Sequence, residues 1–121
     1  MASVMLIAFL VGLMLGRLFD PPRLHIEEIE PWEQGLQLSL NREPQAQSEH
    51  IDGALVYRYE DAYGRVRAGQ LQLPLGLVNW RLERDGRDLL LVLVSARPLD
   101  GEWRGAWEDG RWRARLALRP K

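Results

Sequence analysis

From Pro22 onward the chain shows no helical period of useful length. Apolar and polar residues alternate instead, and turn residues break the alternation at short intervals. Leu24 and Ile26 open a first run, with Ile29 out of phase. Leu36, Leu38 and Leu40 alternate after Gly35. Asn41–His50 is polar, contains a proline and reads as the longest loop. Ala54–Glu60 carries Leu55, Tyr57 and Tyr59 on one side. After a turn at Glu60–Gly64, Val66–Leu73 returns. Pro74 and Gly76 interrupt, and Leu77–Arg84 follows with Val78, Trp80 and Leu82 in phase. Asp85–Gly86 suits a type I′ turn with both residues at positive φ. Leu89–Val94 is apolar at every position, which predicts a strand in the middle of a sheet with both faces covered. Arg97–Gly101 breaks the chain again.

The last segment, Gly101–Arg119, holds three of the five tryptophans. A two-residue turn at Asp109–Gly110 sets Glu108 opposite Arg111, Trp107 opposite Trp112, Gly105 opposite Ala114 and Trp103 opposite Leu116. One face then reads Trp103, Gly105, Trp107, Trp112, Ala114, Leu116, Leu118. The other carries Arg104, Glu108, Arg111, Arg113, Arg115 and Arg119. Gly105 leaves a notch between tryptophans, open to a ring or a second backbone. In all, the pattern predicts about 7–8 strands in an all-β, antiparallel β-sandwich, with an Ig-like arrangement or a small barrel as alternatives.

Residues 2–16 are apolar apart from Ser3, and Arg17, Leu18 and Phe19 follow. Some eighteen helical residues span roughly 27 Å. That is short of a bilayer core of about 30 Å but sufficient if Arg17 snorkels to the interface. Asp20-Pro21-Pro22 ends such a helix. The expected organisation is a transmembrane anchor at 1–19, a linker at 20–23 and a β domain at 24–121. A cleaved signal peptide fits less well, because the first residues carry no Lys or Arg and no Ala-x-Ala-like site follows. A buried soluble helix fits less well still, since the run has no polar stripe. Ala8, Gly12 and Gly16 fall on one helical face, a small-residue stripe suited to a partner helix or a second copy of the anchor. Arg17 and Arg23 after the span favour a cytoplasmic domain by the positive-inside rule. The layout of short tail, single span and β domain favours the periplasmic side of a bacterial inner membrane, and that is the expected location.

Charge and composition narrow the chemistry. The net charge is −1, with nine acids against three bases over residues 20–60 and eight against twelve over 61–121. A slightly acidic, anchored chain does not fit nucleic acid. Without cysteine there is no disulfide, thiol catalysis or cysteine-ligated metal. His25 and His50 stand apart from any HxH or HExxH spacing, the four serines lack a nucleophile-elbow context, and no phosphate loop occurs. The expectation is a non-enzymatic protein without cofactor or metal. Its candidate interaction surface is Arg104, Arg111, Arg113 and Arg115 with Trp107 and Trp112, and it would assemble or stabilise an envelope complex by contacting a membrane-protein partner. The alternative is a lipid- or glycan-binding module whose mouth uses Trp107, Trp112 and Tyr57, Tyr59 or Tyr63.

Overall fold

The computed structural model describes residues 23–121 and is all-β. Ten strands follow in order: β1 Leu24–Trp32, β2 Gly35–Leu40, β3 Ala46–Ile51, β4 Ala54–Tyr59, β5 Ala62–Tyr63, β6 Arg67–Leu73, β7 Gly76–Asp85, β8 Asp88–Ser95, β9 Leu99–Glu108 and β10 Arg111–Pro120. They form two five-stranded sheets, β5-β1-β2-β10-β9 and β3-β4-β8-β7-β6. Every pairing is antiparallel except the short β1–β5 contact. No ladder joins the two sheets among the described residues, so the architecture is a sandwich rather than a closed barrel. The expected anchor, with its Ala8, Gly12 and Gly16 stripe, falls on residues outside those described. Within them, no helix is long and apolar enough to cross a membrane.

The core lies between the sheets and is mostly leucine. Leu36, Leu38, Leu40 and Leu116 of the first sheet face Leu55, Leu89, Leu91 and Leu93 of the second, each with at most 1% of its surface exposed. The alternation read from the sequence is therefore the inward phase of the strands. Ile29, out of phase with Leu24 and Ile26, is brought back toward the core by a bulge. Ile26 pairs with Leu40 but Glu28 with Ser39, so one extra residue, Glu27, is inserted in β1. Ile29 then lies opposite Leu38 and packs against the core.

Three expectations are corrected. The polar stretch Asn41–His50 is not all loop: β3 occupies Ala46–Ile51, every residue exposed, and returns through Asp52 and Gly53, both at positive φ. The Asp85–Gly86 turn is displaced by one residue. Asp85 pairs with Asp88, the loop is Gly86–Arg87, and Gly86 is at φ 63° while Asp85 stays in the strand. A glycine first in a two-residue loop is the type II′ arrangement, not I′. The strand count rises to ten, because β3 and the two-residue β5 carry no apolar alternation of their own. The run Leu89–Val94 does occupy the central strand of its sheet. Its outer face is covered only in part: Val92 lies buried beside Val56, flanked in the same row by Glu49 and Arg81, while Val94 is exposed.

The chain enters the sandwich at Arg23, and that end is fixed by polar bonds. Asn41 at the end of β2 accepts the His25 N–H at 2.8 Å and donates to the Arg23 carbonyl at 2.9 Å. Arg23 pairs with Asp61 at 3.1 Å, Arg87 pairs with the same oxygen, and Arg58 bridges Asp85 and Asp88 at 3.0 and 2.9 Å. Ile26, Leu40, Trp112 and Trp107 lie in one row across the first sheet. The β9–β10 turn therefore stands at the same end of the sandwich as the point of entry.

Candidate functional site

The β9–β10 hairpin has the expected register from Glu108–Arg111 through Trp103–Leu116. Asp109 and Gly110 lie at φ 52° and 77°, the left-handed pair that a type I′ turn needs. Trp112 fills the notch above Gly105: its indole ring occupies the space where a Cβ on Gly105 would stand. Trp107 packs edge-on against Trp112, with ring centroids 5.6 Å apart, and Trp103 packs edge-on against Tyr57 at 5.2 Å. The three tryptophans thus divide. Trp103 and Trp112 rest on the core, whereas Trp107 keeps 56% of its surface exposed.

β9 is the edge strand of the first sheet and β3 is an edge strand of the second. The two flank one open side of the sandwich. The two-residue turn decides which backbone groups of β9 face that side. Glu108 and Arg111 exchange the hydrogen bonds nearest the turn, so even-numbered residues of β9 bond to β10 and odd-numbered ones point outward. Two of the outward groups are satisfied locally: the Leu99 carbonyl accepts from His50 Nε2 at 2.9 Å, and the Gly101 N–H donates to Asp100 at 2.9 Å. The outward N–H and C=O groups of Trp103, Gly105 and Trp107 face no strand. Beside them, between β9 and β3, runs a cleft of about 270 Å³ lined by Tyr59, Trp103, Gly105, Trp112 and Ala114, with Glu43, Pro44, Ala46 and Arg104 at its rim. The indole N–H of Trp103 is buried on the Tyr57 side of the ring, where the Tyr57 hydroxyl is its polar neighbour.

The tyrosines named with the tryptophans are scattered. Tyr59 lines the cleft and is fully buried, and burial pushes its phenol pKa up. Burial first, and the Asp100 charge second, push Tyr57 up to about 12. Neither hydroxyl is suited to proton transfer near neutral pH. Tyr63 stands on the opposite flank, stacked on His25 at 4.3 Å, with the Arg23 guanidinium 5.7 Å from its ring centroid.

The arginines sit on the outer face of the first sheet, turned away from the tryptophans, so the residues of the candidate interaction surface form two surfaces rather than one. Arg111 pairs with Glu27 at 2.7 Å. Arg115 donates to Gln37 at 2.9 Å and lies over the Trp32 ring at 5.8 Å. Arg104 is held only by Glu102 at 3.9 Å, with its side chain 85% exposed. Arg113 has a buried Nε without a partner. Two of the four, Arg111 and Arg115, are therefore tied to an acid on β1 and an amide on β2. The sequence signal that located β9 was the aromatic alternation. The cleft escaped it, because β3 carries no apolar mark.

Among the described residues no group of three or more His, Asp or Glu side chains could hold a metal ion. No protein family, curated relative or solved structure matches the chain.

Proposed function

We propose that this is a non-enzymatic, single-pass membrane protein whose sandwich takes up an extended segment of a membrane-protein partner by strand addition on β9. It would thereby help assemble or stabilise a bacterial envelope complex, with the domain on the periplasmic side. The apolar run at 2–16 and the stripe of Ala8, Gly12 and Gly16 supply the anchor and a helix contact. One observation carries the reading: Trp103–Trp107 offers unpaired backbone beside an aromatic cleft. Backbone groups give an added strand its affinity, and the cleft gives its inward side chain a pocket. The edge is long and holds neither proline nor lysine, although Asp100, Glu102, Arg104 and Glu108 put charge along its outer face. A second copy is a poor occupant. Antiparallel β9–β9 pairing has its two-fold axis perpendicular to the sheet, which would send the two entry points at Arg23 in opposite directions, away from a shared membrane.

The test is purification of the tagged full-length protein from its own membranes in mild detergent, with mass spectrometry of what accompanies it. Trp107→Pro removes an outward N–H at a position where an edge strand tolerates proline. Trp107→Ala removes the ring but keeps the N–H. A stoichiometric membrane-protein partner, lost with proline and kept with alanine, is the expected outcome. Equal recovery with both variants rejects strand addition at β9, and a clean monomer from the wild type rejects the assembly role.

A second reading rests on the aromatic lining of the cleft by Tyr59, Trp103 and Trp112. A small ligand with a flat apolar face, such as a sugar ring, would fit a cavity of this lining. Shifted tryptophan emission on titration of the monomer with such ligands would favour it over the scaffold.

A further inference from the structure

The exposed aromatic rings are not spread evenly over the sandwich. Among the described residues the large exposed apolar side chains include two aromatics, Trp107 at 56% and Tyr63 at 40% exposure. Both stand at the end where the chain enters. Tyr63 lies one strand from β1, opposite His25 in the β1–β5 ladder. Trp107 lies three strands to the other side, in the row of Ile26. The exposed Val66, just before β6, belongs to the same end. Strand spacings of about 4.8 Å put Trp107 roughly 15 Å to the side of β1, and three residues of rise put Arg23 about 10 Å beyond that row. The two rings therefore straddle the point of entry.

We infer that this end of the sandwich rests on the lipid surface, with Trp107 and Tyr63 as its two feet at headgroup level. The inference rests on the anchored reading given above. Only Asp20, Pro21 and Pro22 separate Phe19, the last residue of the apolar segment, from Arg23. The four residue steps from Phe19 to Arg23 reach at most about 14 Å, so the entry end of the domain cannot stand far from the bilayer. A lean of roughly 35° toward β9 offsets the 10 Å by which Trp107 is set back, and raises Tyr63, one strand to the other side, by about 3 Å, so Trp107 is the deeper of the two. Tryptophan and tyrosine are the side chains that favour the membrane–water boundary, where an apolar ring and a polar edge are both accommodated. The charges around the rings nearly balance and do not select anionic lipid: Glu108 and Asp109 follow Trp107 directly, Arg111 is paired with Glu27, Arg65 lies two residues after Tyr63, and Asp61 is shared by Arg23 and Arg87. The surface therefore fits zwitterionic headgroups, and contact is independent of anionic lipid.

The test is tryptophan quenching in the full-length protein, reconstituted into phosphatidylcholine vesicles that carry a nitroxide on a fraction of the headgroups. The wild type is compared with Trp107→Phe, a change at an exposed position that leaves the core intact. The expected result is flotation with the vesicles and a larger loss of emission in the wild type than in W107F, unchanged when phosphatidylglycerol is added. Flotation with equal fractional loss in both proteins overturns the lipid contact and leaves the anchor standing. Failure to float overturns the anchor and this inference together. Quenching that appears only with phosphatidylglycerol overturns the zwitterionic assignment.

Discussion

Two edge strands flank the open side of this sandwich, and they are held in different ways. β3 is six residues long, and all six are exposed. Its attachment is the backbone ladder to β4, together with the bond from His50 to the Leu99 carbonyl. β9 is held by its own side chains as well as by its ladder. Leu99 is buried, Trp103 packs on Tyr57, and Gly101 and Gly105 let Tyr57 and Trp112 close against the strand. An edge of the first kind can come away at little cost to the core, whereas one of the second kind cannot move without unpacking it. A rigid unpaired edge is the better template for an incoming strand, because little ordering remains to oppose binding. A loose edge beside it can yield to admit that strand.

The largest break in this comparison is at Trp103. Trp103→Ala removes a ring packed on the core and leaves Tyr57 without its edge-on neighbour, and should cost about 3 kcal/mol. Ser48→Ala in the middle of β3 should stay within about 0.5 kcal/mol. Guanidinium unfolding of the full chain reads both. Similar costs for the two variants would mean that β9 is no better anchored than β3.

The same contrast explains what the sequence showed and what it hid. The register of β9 and β10 was legible because burial imposes a period of two on Trp103, Trp112, Ala114 and Leu116, and Asp109–Gly110 fixes the turn. β3 was illegible for the opposite reason. Ala46–Ile51 buries no side chain, so nothing in its composition separates it from a loop. Asp52–Gly53 was the one signal for its hairpin, a left-handed pair identical in type to Asp109–Gly110. The bulge at Glu27 was visible only as the misplaced phase of Ile29. The arginine stripe could be placed on one face from the register. Its partners could not, because Glu27 and Gln37 reach it from strands distant in sequence. The cleft needed both edges to be known, and one of them was missing.

A smaller effect separates the two edges at their crossing point. His50→Ala deletes the bond to Leu99 and should cost about 1 kcal/mol. The informative readout is amide hydrogen exchange. Protection should fall along β3 and hold along β9, since Leu99 stays buried by its side chain while β3 loses its tie to the other sheet. Equal loss of protection in both strands would show that the edges open as one unit.

The smallest effect lies at the root of β9 and depends on pH. The Asp100 carboxylate accepts the Gly101 N–H at 2.9 Å and an Arg119 N–H at 3.2 Å. The backbone bond first, and Arg119 second, hold its carboxyl below the ordinary carboxylate range. A depressed folded pKa means that the unfolded chain binds the proton more readily. The stability contributed by Asp100 is then complete above its unfolded pKa of about 3.9 and disappears as pH falls through the folded value. Asp88, held low by the Asp61 N–H and by Arg58, acts in the same direction at the entry end. Asp100→Asn should therefore flatten the acid limb of the denaturation midpoint below about pH 4 without abolishing it. Both proteins should run parallel above pH 5. An unchanged acid limb in D100N would place the proton-linked stability elsewhere, and β9 would then owe its hold to packing alone.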